Sequence, residues 1–198
     1  MKIVKKREVD MTASPHNIDK NKLNESQYSE KSNEKTSGAA FIARAGLMAA
    51  LALIFSYVEA VIPYAPTVPG IKLGLANIVT VVALYRFGVR DAISVSAVRV
   101  MLSGLLFNGL FGMLYSMAGA LLSLVGMAVL KRTRLFSIVG VSMAAGVLHN
   151  MGQLVVAAVL IEDFRIFFYF PVLMFSGIAA GIVVGIAATV IIKSMKGQ

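Results

Sequence analysis

The stretch Ala60–Ser103, AVIPYAPTVPGIKLGLANIVTVVALYRFGVRDAISVSAVRVMLS, decides the fold of this chain. It leaves one apolar run, turns through three prolines, and passes through two further apolar runs separated by a short basic loop. Arg99 lies in the middle of the last run. A charged group inside a bilayer is costly and usually faces a partner or a cavity. This arginine and the polar residues near it therefore predict a functional site, and the rest of the chain is predicted to form the helices that support it.

The composition places the chain among integral membrane proteins. Apolar residues make up 58% of its 198 residues, and the mean hydropathy is +0.78. A soluble domain of this size could not bury so much apolar surface. The chain has no cysteine, which excludes a disulfide framework and a thiolate metal site. Much of the formal charge of +9 lies in the N-terminal tail and in short loops, so it indicates membrane orientation and no nucleic-acid partner.

Two domains are predicted. Residues 1–37 are polar and mixed in charge, without apolar periodicity, and cannot bury enough surface to offset the entropy of ordering. Residues 1–37 are therefore predicted to form a disordered cytoplasmic tail. The tail opens on a basic cluster, but no apolar segment of signal-peptide type follows. Residues 38–198 predict a six-helix transmembrane domain.

This second domain contains six apolar runs, which predict an all-α polytopic membrane protein with about six transmembrane helices. The second and third runs are short and need support from their neighbours or local thinning of the bilayer. The runs are Gly38–Ile62, Ile71–Phe87, Ala92–Phe107, Leu110–Leu130, Phe136–Ile161 and Phe167–Ile192.

The charges between the runs predict the orientation. With six spans, the tail, the Arg86/Arg90 loop, the Lys131–Arg134 loop and the C-terminus all fall on one side, and that side is basic. The opposite side is nearly neutral in sum. Because basic loops stay in the cytoplasm, both termini are predicted to be cytoplasmic in a multi-pass protein of the cell membrane.

Polar residues in or near the spans predict a substrate pocket, most of them in the outer half of the bundle. Arg99 cannot easily reach either surface and is the hardest to explain by structure alone. Other readings stay open: Lys72 as a snorkelling lysine, Glu59 as its ion-pair partner, the amides as interhelical hydrogen-bonding groups, and His149 as a core residue. The candidate pocket residues are Glu59, Lys72, Asn77, Arg99, Asn108, His149, Asn150 and Gln153.

Several chemistries lack their motifs in this sequence. It contains no P-loop, no HExxH, no GxSxG and no Asp-rich DDxxD cluster. An enzyme that ionises a prenyl diphosphate needs carboxylates to hold its divalent cations. We therefore predict no catalytic residue, no metal ligand and no cofactor.

Four segments carry a resemblance to a known family: residues 62–88 with K-x-G-L-A-N-I, 99–109, 114–131, and 146–157 with H-N-x-G-Q. Over about residues 40–192 the chain resembles the bacterial membrane family described as heptaprenyl diphosphate synthase component I, also called the Gx transporter family. That family is similar in turn to the S components of energy-coupling factor (ECF) vitamin transporters.

The resemblance implies two functions. The S-component likeness implies a membrane subunit that captures a small molecule, such as a vitamin or a cofactor or quinone precursor. It implies docking, through an Ala-x-x-x-Ala face matched here by Ala45 and Ala49, to a T component driven by two ATPase subunits. The synthase description implies instead a membrane subunit that helps to make a 35-carbon prenyl diphosphate for menaquinone.

We favour the S-component hypothesis, because the Asp-rich motif is missing and the loop charges agree with six spans. Lys72 and Arg99 suit a substrate with an anionic group such as a carboxylate or phosphate. A third hypothesis is a structural or assembly protein without a ligand, which an empty, collapsed pocket would favour.

Overall fold

The computed structural model describes the backbone of residues 15–61 and 74–195, and the side chains of residues 37–61 and 74–195. Within these ranges every regular element is helical, which confirms the all-α class. The six α-helices are α1 (Pro15–Val61), α2 (Leu75–Arg86), α3 (Val89–Ser103), α4 (Gly109–Thr133), α5 (Ile138–Ile161) and α6 (Phe170–Ser194). A π-helix, Gly104–Asn108, follows α3, and a 3₁₀ helix, Phe164–Tyr169, precedes α6.

The chain divides into two compact units, Met1–Ala43 and Arg44–Gln198. In the first unit, α1 begins at Pro15, inside the segment for which the sequence predicts disorder. Residues 16–37 contain neither glycine nor proline and include four lysines and three glutamates, which favour helix. The helical backbone is a difference from the expected disorder, whereas the cytoplasmic location of this tail stays a prediction.

In the second unit, α3 and α4 form an antiparallel pair. The chain turns at Gly109, whose φ of +67° is a left-handed conformation that suits glycine. A Cβ atom on Gly104 would lie 2.5 Å from the Met113 Cβ atom. In a straight helix, residues nine apart are separated by about 13.5 Å. The contact between Gly104 and Met113 therefore requires the chain to fold back.

Four helical segments among the described residues are long and apolar enough to cross a membrane: Ser37–Val61, Val89–Thr133, Ile138–Ile161 and Phe164–Ser194. The second of these contains the fold-back at Gly109. They indicate a membrane protein with several passes. The remaining helix, α2, has only 12 residues.

The core of the second unit is centred on α2. Eight of its 12 residues are buried, and Val81 and Leu84 are almost fully so. Its many β-branched residues favour a helix weakly in isolation, so packing stabilises it. The Lys131 Nζ atom donates a hydrogen bond of 2.6 Å to the Leu84 carbonyl oxygen, which would otherwise lack a partner at the helix end.

Glycines let α5 approach its two neighbours closely. A Cβ atom on Gly177 of α6 would lie 2.8 Å from the Gly146 backbone of α5. A Cβ atom on Gly152 of α5 would lie 2.6 Å from the Ala118 carbonyl oxygen of α4. Small residues at such positions bring helix backbones together in membrane proteins. The three helices α4, α5 and α6 are thereby tightly packed.

A partly buried ion pair joins α1 to α3. The Arg44 Nε atom lies 2.8 Å from the Asp91 Oδ1 atom, and Asp91 is only 4% exposed. The guanidinium also lies 4.5 Å above the centre of the Phe87 ring. Near the other end of α1, Tyr57 packs against Phe107 of the π-helix, with ring centres 5.3 Å apart. These contacts hold the part of α1 from Arg44 onward against α3 and the π-helix.

Candidate binding cavity

The second unit encloses a cavity of about 340 Å³, lined by residues of all six α-helices and of the π-helix. This volume is in the range of pockets that bind small molecules. Seven of the eight side chains predicted from the sequence line it: Glu59, Asn77, Arg99, Asn108, His149, Asn150 and Gln153. The eighth, Lys72, lies outside the described residues.

Arg99 is the strongest indication of a ligand in this cavity. It projects from α3, on the same lining face as Val100 and Ser103. Its Nε atom is buried and has no hydrogen-bond partner among the described residues. Buried donors are nearly always paired in folded proteins, so an unpaired guanidinium nitrogen that lines a cavity suits an external acceptor. A carboxylate or phosphate is the acceptor that guanidinium groups bind most strongly.

Glu59 fixes the end of α1 against the start of α2. Its Oε1 atom accepts a hydrogen bond of 2.6 Å from the Gly74 backbone N–H group. The first N–H groups of a helix lack partners within the helix and carry partial positive charge, so a carboxylate is favourable there. Glu59 is also near enough to Arg99 to attract it electrostatically. Within the described residues the two do not form a direct ion pair.

The amide side chains differ in what they do. Asn150 of α5 donates a hydrogen bond of 2.7 Å to the Leu173 carbonyl oxygen of α6. This is the interhelical role that the sequence left open as an alternative. Asn108 donates a bond of 3.3 Å to the Ser103 carbonyl oxygen, across the π-helix. For Asn77 and Gln153, contact with a ligand stays a prediction.

His149 lies at a close approach of α4 and α5. A Cβ atom on Gly119 would lie 2.9 Å from the His149 Cε1 atom and 2.8 Å from its carbonyl oxygen. The imidazole therefore needs the glycine opposite it. Gln153 follows one helical turn later and lines the same cavity. Among the described residues, no three His, Asp or Glu side chains are grouped to hold a metal ion.

Sequence reasoning missed the serines. Five of them line the cavity: Ser56, Ser103, Ser116, Ser123 and Ser142. Isolated serines in apolar runs were the signal available, but serine is also common where transmembrane helices only pack together. Val81, Met127 and Val184 add apolar surface to the lining. Among the described residues, the cavity lining thus contains one cation, Arg99, one carboxylate, Glu59, several neutral hydrogen-bonding groups and apolar walls.

The two predicted docking residues differ in burial. Ala49 is 4% exposed and packs within the unit, and Ala45 is half-buried. Other residues of this helix are more exposed, including Leu47 at 75% and Ala50. A role for Ala45 and Ala49 in docking stays a prediction.

The comparisons agree with the family suggested by the sequence. The family model described as heptaprenyl diphosphate synthase component I matches residues 48–191, which cover the cavity-lining helices. No curated protein and no solved structure matches the chain. Because the match extends over most of the chain, the protein belongs to the heptaprenyl diphosphate synthase component I family.

Proposed function

We propose that the protein is the substrate-binding subunit of an ECF-type uptake system and binds a small molecule with an anionic group. One observation carries the proposal: polar side chains on separate helices, first singled out from the sequence, line a single cavity with an unpaired Arg99 Nε atom. A purely structural protein gains nothing from an unpaired buried guanidinium nitrogen, because such a group costs free energy until it is bonded.

The proposal includes six spans, with both termini in the cytoplasm. The fold-back at Gly109 supports counting α3 and α4 as two spans. A helix of 12 residues is too short to cross the hydrocarbon core, which needs about 20 residues. Because most of α2 is buried by protein, it does not have to match the bilayer by itself.

The size of the cavity favours a small ligand. A volume of about 340 Å³ corresponds to roughly eleven molecules of liquid water. Heptaprenyl diphosphate carries 35 carbon atoms and a diphosphate, so the cavity could enclose only part of it. A vitamin or a cofactor or quinone precursor is closer to the available volume.

A second candidate is a membrane subunit of prenyl diphosphate synthesis, which the description of the matched family favours. In this case the cavity would hold part of a growing apolar chain, and a partner protein would supply the metal-binding carboxylates. Asp91, a buried carboxylate, is already paired with Arg44 and does not line the cavity. The chain's own residues therefore support binding better than catalysis.

The test is a pull-down in mild detergent of the C-terminally tagged protein from its native host, followed by native mass spectrometry. Co-purification of a T component with two ATPase subunits, or of a bound small organic anion, is the expected result. Recovery of a soluble prenyl synthase subunit without an ATPase would overturn the proposal in favour of the second candidate.

A pair of variants sharpens the same experiment. Ala45→Leu should weaken co-purification of the T component, because a bulky side chain blocks close helix approach. Ala50→Leu is the matched control, since Ala50 is exposed on a neighbouring side of α1. Equal loss in both variants, or in neither, would contradict docking through the Ala45 face.

A further inference from the structure

Ser142 is the second unsatisfied polar group in the cavity wall. It is 2% exposed, it lines the cavity, and its Oγ atom has no hydrogen-bond partner among the described residues. A serine inside a helix usually bonds to a carbonyl one turn earlier, and Ser123 does so with Ala120 at 3.2 Å. The Ser142 hydroxyl thus has an unused hydrogen-bonding capacity beside the cavity.

The helix contacts place Ser142 well away from Arg99. Gly104 meets Met113, so in the antiparallel pair Arg99 is approximately level with Ala118 of α4. Ala118 in turn meets Gly152 of α5. Gly152 and Ser142 are ten residues apart, which corresponds to about 15 Å along the helix. Allowing for the length of the arginine side chain, the two groups are separated by roughly 10–15 Å along the bundle.

The cavity extends along the bundle. Along α5 its lining extends from Ser142 to Gln153, a length of about 16 Å. Its volume of about 340 Å³ limits the ligand to a small molecule. Met127 and Val184 contribute apolar wall surface.

We propose that Ser142 forms a second subsite, and that the ligand is an elongated organic anion with a neutral hydrogen-bonding group at its far end. The anionic group binds Arg99, the apolar body fills the cavity, and a hydroxyl or carbonyl group reaches the Ser142 hydroxyl. Ser123 lines the path between them. This inference rests on the proposed binding function and adds the substrate class to it.

The binding test uses three probes of matched length: 10-hydroxydecanoate, decanoate and decane-1,10-diol. The first carries both recognised groups, the second lacks the distal hydroxyl and the third lacks the charge. Binding to the full-length protein in detergent is measured by isothermal titration. We expect 10-hydroxydecanoate to bind about five-fold more tightly than decanoate, the equivalent of one neutral hydrogen bond.

Two variants separate this subsite from the anion site. Ser142→Ala should abolish the five-fold preference for the hydroxy acid while leaving decanoate affinity unchanged. Arg99→Gln should weaken both acids by ten-fold or more, without changing the affinity for the diol. Preference for the hydroxy acid that survives in Ser142→Ala, or that is absent from the parent protein, would overturn the subsite alone. Acids that fail to bind, or that bind independently of Arg99, would overturn the proposed anion pocket.

A matched control excludes a general effect on folding. Thr80 is also 2% exposed with an unpartnered hydroxyl, but it does not line the cavity. Because an unsatisfied buried hydroxyl destabilises a protein, Thr80→Val and Ser142→Ala should both maintain or raise the melting temperature without ligand. Only Ser142→Ala should alter the preference between the two acids. An equal change in both variants would contradict the subsite.

Discussion

At the scale of single residues, Glu59 has two opposing effects on the cavity. Its carboxylate caps the first N–H group before α2 and lies near Arg99, where it competes with an incoming anion. Glu59→Gln keeps an oxygen acceptor for Gly74 but removes the charge. Removing a like charge near a partly buried anion should make the free energy of binding more favourable by about 1 kcal/mol. Decanoate should therefore bind about five-fold more tightly.

Titration calorimetry with decanoate measures this change, and Glu59→Ala serves as the comparison because it removes both the charge and the acceptor. We expect Glu59→Ala to lower the melting temperature, since the Gly74 N–H group loses its partner. Weaker binding of the acid to Glu59→Gln would show that Glu59 supports the ligand and does not compete with it.

The pairing of Arg44 and Asp91 is a second prediction at this scale. Asp91→Asn removes the charge that a partly exposed Arg44 balances, so we expect a loss of about 1–3 kcal/mol in the free energy of unfolding, less than for a fully buried pair. The measurement is thermal or denaturant unfolding of three variants: Asp91→Asn, Arg44→Gln and the double variant. If the two single losses simply add in the double variant, the pair contributes no coupling free energy.

At the scale of helices, the contact between α5 and α6 depends on glycine. Gly177→Ala places a methyl group 2.8 Å from the Gly146 backbone, and backbone atoms cannot move aside as a side-chain tip can. We expect a loss of about 1–3 kcal/mol in the free energy of unfolding, the usual cost of overpacking. Melting temperature in detergent reports it.

Gly46→Ala is the control for that substitution, because a Cβ atom there meets nothing within 4 Å. This variant should be neutral or gain up to about 1 kcal/mol from the higher helix propensity of alanine. Two variants that melt at the same temperature would contradict tight packing of α5 on α6.

The helices also show which parts of the fold could be predicted from the sequence. Apolar runs predicted α4 to within three residues at either end and α5 to within two, because burial in lipid or protein requires continuous apolar sequence. The helix from Pro15 was missed because its residues are polar without amphipathic periodicity. Hydrophobic periodicity reveals a helix only when one face of that helix is buried. Where no face is buried, the only sequence signal is the intrinsic helix propensity of the residues, which is weak.

The cavity was predictable in part for a related reason. Arg99 and Glu59 could be found because a charge in an apolar run has few structural explanations. Ser142 could not be distinguished from any other small polar residue, because its significance lies in a hydroxyl without a partner. Whether the Ser142 hydroxyl has a hydrogen-bond partner depends on how α5 packs against α6. The spacing of residues in the sequence does not determine that packing.

At the scale of the whole molecule, the orientation in the membrane can be tested without background labelling, because the chain has no cysteine. Leu135 lies between α4 and α5 and is 82% exposed, and Phe168 lies between α5 and α6 and is 89% exposed. If α5 crosses the bilayer, these positions are on opposite sides. The excess of lysine and arginine at residues 131–134 predicts that Leu135 lies in the cytoplasm.

We therefore expect a membrane-impermeant maleimide to label Phe168→Cys in intact cells, and to label Leu135→Cys only after the membrane is permeabilised. The reverse pattern would invert the orientation and place the C-terminus outside. Labelling of both positions from outside would mean that α5 does not cross the membrane, because its two ends cannot share a surface if it spans the bilayer. In that case the cavity between α4, α5 and α6 could not carry a substrate from one side of the membrane to the other.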